Sequence, residues 1–220
     1  RYETIEVADG FSAHPYRNGA PPEGGSMHAA ADDPQGLESE LRDWWGMAQT
    51  WNPTGKPLKL YLTEVGYSTG KDAKGIGVEV DSLDRQGDYI SRLALVLLDV
   101  RLRGVPIETV NWYDLKCDYD NSRVQGNFGV LSYDTSRVRP AYTAYSRVAK
   151  AFGNSLDLEP LNLKPAFSHH ADVIKTFTWR RFSDGALIVA FWRLNRLQEK
   201  DEDFASQMEL KLPEGFAVGA

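Results

Sequence analysis

Three successive units of short apolar strand and amphipathic helix fill the chain up to Phe152, and that order leaves few folds open. The first strand is read at Asp9 to Tyr16 (DGFSAHPY), followed by a Gly/Pro-rich loop from Arg17 to Gln35. A helix over Leu37 to Gln49 sets Leu37, Leu41, Trp44, Trp45 and Ala48 on one face at helical spacing. The second strand, Leu58 to Val65 (LKLYLTEV), is entered from the Gly55–Lys56–Pro57 turn. Its helix can be capped by Asp81 or Ser82, whose side-chain oxygens accept from free backbone N–H groups. Leu83, Ile90, Leu93, Ala94, Leu97 and Leu98 form the apolar stripe, and Gly104 sits where a left-handed stop is wanted. A third strand from Ile107 to Asp114 leads through a long loop to a helix over Arg139 to Phe152, with Pro140 in its first turn and Gly153 beyond its end. Such alternation implies parallel strands joined by right-handed crossovers.

After Pro160 the texture changes. Val173 to Phe182 and Ala186 to Leu194 alternate and are rich in β-formers, and Ser183–Asp184–Gly185 between them is a hairpin signal. A further strand is expected at Gln207 to Leu212. The reading is therefore an α/β part over residues 1–155 and a small antiparallel β part over 156–220.

Composition narrows the partners. With 25 basic against 31 acidic residues the net charge is −6, so a phosphate backbone finds no clustered cations and a nucleic-acid partner is not expected. No apolar run approaches the ~20 residues of a membrane span. Cys117 is the sole cysteine, which excludes an internal disulfide and reads as a buried, inert thiol. Aromatic content of 11% suits either a core or a sugar-binding cleft. The chain begins at Arg1 without a leader, and the expectation is that upstream residues are missing.

In parallel α/β barrels functional groups gather where strands end. Glu64 closes the second strand and is followed by Gly66, Tyr67, Ser68 and Thr69. A carboxylate among apolar strand residues is costly unless it is paired or hydrogen-bonded, which favours a role for it. His14 and Tyr16 close the preceding strand; Trp112, Tyr113 and Asp114 close the following one. Three strands thus deliver polar or aromatic groups to one end. Glu64 is the candidate nucleophile; His14 and Tyr16, which can also hold it ionised and aimed, are candidate substrate contacts together with Tyr67, Trp112, Tyr113 and Asp114. The chemistry that fits is glycoside hydrolysis with retention, which sets two carboxylates about 5–5.5 Å apart across the scissile bond.

These motifs resemble glycoside hydrolase clan A, the retaining TIM-barrel glycosidases. His14–Pro15–Tyr16 is similar to the end of that clan's sixth strand, Thr63–Glu64–Val65–Gly66 to the nucleophile-bearing end of the seventh, and Trp112–Tyr113 to the end of the eighth. Asn127–Phe128–Gly129–Val130 and Arg139–Pro140–Ala141–Tyr142 resemble the clan's run into its last helix. Within the clan the likeness is to the family of β-xylosidases, α-L-iduronidases and exopolysaccharide endoglycosidases, whose members often carry an accessory β-domain after the barrel. The resemblance implies strands six to eight of a (β/α)8 barrel, a carbohydrate substrate, no cofactor and no metal, and for many relatives action outside the cytoplasm. It also implies an acid/base Glu after an Asn on the fourth strand, and Asn–Glu occurs nowhere in these 220 residues. Three parallel strands leave an open edge, so either an upstream segment or self-association is expected to complete the barrel. Asp114, Asp118, Asp120 and Glu79 are other nearby carboxylates with no mark of preference. Asp118-x-Asp120–Asn121 reads as a solvated loop rather than a calcium site, and His169–His170 as linker rather than metal ligands.

Overall fold

The computed structural model describes residues 7–23, 36–71, 80, 82–119, 123–153, 155–169, 171–194 and 206–212. They belong to two compact units, Arg1–Gly153 and Asn154–Ala220. The fold is mixed α/β, with one parallel sheet and separate antiparallel sheets.

In the first unit the order is β1 (Gly10–Ala13), α1 (Leu37–Thr50), β2 (Lys59–Val65), α2 (Leu83–Leu102), β3 (Ile107–Trp112) and α3 (Pro140–Phe152). β1, β2 and β3 form a parallel sheet in chain order. Two strands are shorter than the sequence suggested. β1 ends at Ala13 because Pro15 has no N–H for a ladder, and the Tyr16 N–H turns back to the His14 carbonyl at 2.9 Å. β3 ends at Trp112 because the Asp114 N–H leaves the ladder for the carbonyl of Phe128, 3.3 Å away. Along β2, Leu58, Leu60 and Leu62 are buried while Lys59, Tyr61 and Thr63 stand on the opposite face, as the period of two requires.

The helices follow their end signals. Ser82 caps α2, its hydroxyl accepting from the Arg85 N–H at 3.1 Å, and Gly104 takes φ +100° just after the helix. The buried stripe of α2 is rotated from the expected one. Leu83 is exposed, and Gln86, Tyr89, Ile90, Leu93, Val96, Leu97 and Val100 carry the core. Ile90 packs with Val130 and Ala141, joining α2 to the start of α3. Two buried ion pairs add to this: Arg92 holds Glu23 through two hydrogen bonds of 3.1 and 2.5 Å, and Arg17 pairs with Glu40. Beside β1, an apolar groove of about 330 Å³ is lined by Phe11, Ala13, Trp44, Met47, Ala48 and Trp51.

In the second unit β4 (Leu158–Leu161), β6 (Ile174–Arg181) and β7 (Leu187–Arg193) form an antiparallel sheet in the order β4-β6-β7. Trp179 is fully buried, and Phe177 packs on Trp179 and Trp192 with ring centroids 5.5 and 5.6 Å apart. The hairpin lies where Ser183–Asp184–Gly185 predicted it, with Gly185 at φ +70°. The last expected strand is brief: among the described residues β8 (Met208–Glu209) pairs with β5 (Ala166–Phe167), as a separate two-stranded sheet.

Candidate active site

The ends of β1, β2 and β3 bring Glu64 together with His14, Tyr16, Tyr113 and a phenylalanine from the following loop. Pairing between β2 and β3 shifts register between Leu62 and Val65, an irregularity of the kind that re-aims a side chain near a strand end. There Glu64 is part-exposed, at 43% of its side-chain surface. The Tyr16 hydroxyl donates to Glu64 Oε2 at 3.1 Å, and His14 Nδ1 lies 3.7 Å from the same oxygen. Glu64 Oε1 has no hydrogen-bond partner among the described residues. His14 is itself anchored: its Nε2 is 2.9 Å from Thr63 Oγ1, which is also 2.9 Å from Ser12 Oγ. The carboxylate is therefore held by one oxygen and open at the other.

Close packing below Glu64 depends on Gly66. A Cβ there would lie 1.8 Å from the Tyr113 carbonyl oxygen, a separation no side chain can accommodate. That carbonyl is brought in because the Tyr113 N–H donates to Val65 O at 2.8 Å. The peptide bond between Tyr113 and Asp114 is cis. The Phe128 ring meets Tyr16 and Tyr113 edge to face, at 5.8 and 5.3 Å between centroids. Burial raises the Tyr113 phenol pKa above its usual range; the carboxylates of Asp118 and Asp114 and, to a smaller extent, Glu64 add to the rise. At neutral pH Tyr113 is thus a hydrogen-bond donor.

Not every expected contact stands on this surface. Tyr67 is fully buried, packed on Tyr89 at 5.1 Å with Val80 and Trp112 around it, and burial lifts its phenol pKa well above normal. The Trp112 ring packs into the same cluster and also against that of Ile90, Val130 and Ala141. Asp114 turns its carboxylate to the N–H of Leu115. Tyr67 thus takes a structural place where substrate contact was expected, and Trp112, partly buried, packs against it. Cys117 is buried, and burial raises its pKa, so it is no thiolate at neutral pH. Glu79, Asp120, Asn121 and His170 lie outside the described residues. Among the described residues no group of three or more His, Cys, Asp or Glu is placed to hold a metal, and no helix is long and apolar enough to cross a membrane.

The sequence gives Phe128 no role beyond its place in the Asn127–Phe128–Gly129–Val130 run. Nothing in a lone loop phenylalanine marks it as a ring set between two tyrosines from different strands.

Comparison with solved structures gives this geometry a context. A family 39 glycoside hydrolase from the gut symbiont Bacteroides cellulosilyticus WH2 superposes with a TM-score of 0.66 at 21% identity, over 88% of this chain and 35% of that one. The chain therefore has the fold of part of a glycoside hydrolase, and spans about a third of that enzyme's length. A family 17 β-1,3-glucanosyltransferase from Rhizomucor miehei (TM-score 0.41, 16% identity, 64% of this chain and 45% of that one) and the β-glycosidase of the hyperthermophile Thermosphaera aggregans (0.37, 18%, 63% and 27%) match more weakly. No family profile and no curated protein matches the sequence.

Proposed function

We propose that this chain is the part of a retaining glycoside hydrolase that carries the nucleophile, with β1 to β3 as the sixth to eighth strands of a (β/α)8 barrel and residues 156–220 as its accessory β part. The observation that carries the reading is the Glu64 carboxylate at a strand end, gripped at Oε2 by Tyr16 and open at Oε1. In the reaction Oε1 attacks the anomeric carbon, the bond to the leaving oxygen breaks, and a glycosyl ester forms that water then hydrolyses. His14 and Tyr16 aim the carboxylate, while Tyr113 faces the sugar. The proton for the leaving oxygen comes from a group outside the residues placed here, since the Asn–Glu pair is absent. Among the described residues β1 and β3 each pair on one side only, and the apolar groove beside β1 adjoins one such edge. Those open edges favour completion of the barrel by a further segment or by a second copy.

The test must not depend on the missing acid. Dinitrophenyl glycosides serve, because their leaving group departs as a phenolate without a proton. The expected result is slow release of dinitrophenol, with NMR showing retention in the sugar product and loss of turnover in Glu64→Gln. A second reading, a carbohydrate-binding remnant, is favoured by the absence of Asn–Glu. It predicts equal sugar binding by wild type and Glu64→Gln, with no dinitrophenol from either, and that outcome would sink the enzyme reading. Absence of both binding and turnover would instead leave a module for assembly.

A further inference from the structure

Gln86 is fully buried on α2, at a position where helical spacing calls for an apolar residue. Its Nε2 donates to the carbonyl of Tyr67 at 2.7 Å and to that of Phe128 at 3.2 Å, while its Oε1 has no partner among the described residues. An unpaired buried acceptor costs stability, so packing alone would be better served by an apolar side chain. What the amide adds is a tie between the loop after β2 and the loop after β3.

From the N-cap of α3, Arg139 grips the same loop from another side. Its Nη1 donates to the carbonyls of Asn127 and Gly129 at 3.2 and 3.1 Å, and to Thr69 Oγ1 at 3.3 Å. Its Nη2 reaches Asn127 Oδ1 at 3.3 Å. Three consecutive carbonyls, of residues 127, 128 and 129, are thus each held by a side chain from α2 or from the start of α3. Between them the Phe128 ring stands against Tyr16, the donor to Glu64, and against Tyr113.

We infer that Gln86 and Arg139 form a clasp that makes Phe128 a positioning residue, its ring fixing the Tyr16 phenol that orients Glu64. The inference rests on the reading of Glu64 as nucleophile, and its two halves are measured separately. In the full chain, ring-proton NMR shifts of Tyr16 and Tyr113 report where the Phe128 ring lies. Gln86→Met, which keeps the volume and removes the donors, is expected to move both sets of signals; Arg139→Lys is the companion should Gln86→Met not fold. Unchanged signals in a folded clasp variant overturn the clasp, whatever Glu64 does.

The second half is the rate of covalent trapping by an activated 2-deoxy-2-fluoroglycoside, counted per folded molecule. Phe128→Leu and Gln86→Met are expected to lower the maximal trapping rate about tenfold, since small misplacements of a reacting group cost that much or more. Half-saturation should stay within about twofold, and Phe128→Tyr, which keeps the ring, should restore the rate. A merely structural role would lower the folded fraction and leave the rate per folded molecule unchanged, which overturns positioning. If wild type is not trapped while the ring signals move, the nucleophile reading has failed and the clasp stands as the holder of Tyr16.

Discussion

The two units of this chain treat polar side chains in opposite ways. In the parallel unit they go inside: Arg17, Ser68, Gln86, Arg92, Asp99 and Asn127 are all buried, several tied to backbone or to a buried counter-charge. In the antiparallel unit Thr178, bonded to the Leu161 carbonyl, is the buried polar side chain among the described residues. There the charged groups line the hairpin turn, where Arg181 holds Asp184 and Asp157 receives Ser183. The antiparallel sheet needs only apolar burial and turn chemistry to form. The parallel unit spends part of its interior on fixing loops at the strand ends, which is where Glu64 sits.

That contrast can be broken most sharply at Arg92. Arg92→Leu takes away the guanidinium that holds the Glu23 carboxylate through two hydrogen bonds in the interior, and should cost about 3–5 kcal/mol in denaturant unfolding of the first unit. Trp179→Ala tests whether the second unit relies on its aromatic core to a like extent, with about 3–5 kcal/mol expected from the cavity. A small effect there would mean that its stability lies elsewhere than in Phe177, Trp179 and Trp192.

Tyr67→Phe sharpens the comparison from the other side. The Tyr67 hydroxyl is buried without a hydrogen-bond partner among the described residues, so removing it should leave stability at pH 7 unchanged or slightly improved. Its folded pKa is raised by burial, so its contribution is complete below the unfolded value near 10 and is lost as pH rises toward the folded one. Urea midpoints should therefore fall less in Tyr67→Phe than in wild type between pH 9 and about 11. The smallest effect is expected at the exposed pair. Asp184, drawn down to about 2 by hydrogen bonds from Arg181 and from the Ala186 N–H, should move back toward 3.8 in Arg181→Ala by carboxyl NMR. Any stability it lends is present above pH 3.8 and lost as pH falls through 2, and the unfolding midpoint at pH 7 should not shift measurably in that variant.

Much of this was written locally in the sequence. Periodicity marked the three helices, Ser82 and Gly104 marked the ends of α2, and the Ser183–Asp184–Gly185 turn marked the hairpin. The gathering of His14, Tyr16, Glu64 and Tyr113 followed from strand order alone, because parallel strands present their ends together. What escaped were contacts between loops. Tyr67 has the same side-chain type as a surface sugar contact, and only packing reveals it as core. The Gln86 tie left one legible trace, a polar residue on an apolar stripe, three positions after Leu83 and four before Ile90. Its partners are backbone carbonyls, which no side-chain pattern records.

The central claim is that Glu64 is a nucleophile, and trapping tests it without the acid. The whole chain would be incubated with a panel of activated 2-deoxy-2-fluoroglycosides and read by intact mass and peptide mapping. The account predicts one sugar added per chain, on the peptide holding Glu64, with no addition in Glu64→Gln. An adduct on another residue, an adduct that survives Glu64→Gln, or none from any sugar would contradict it.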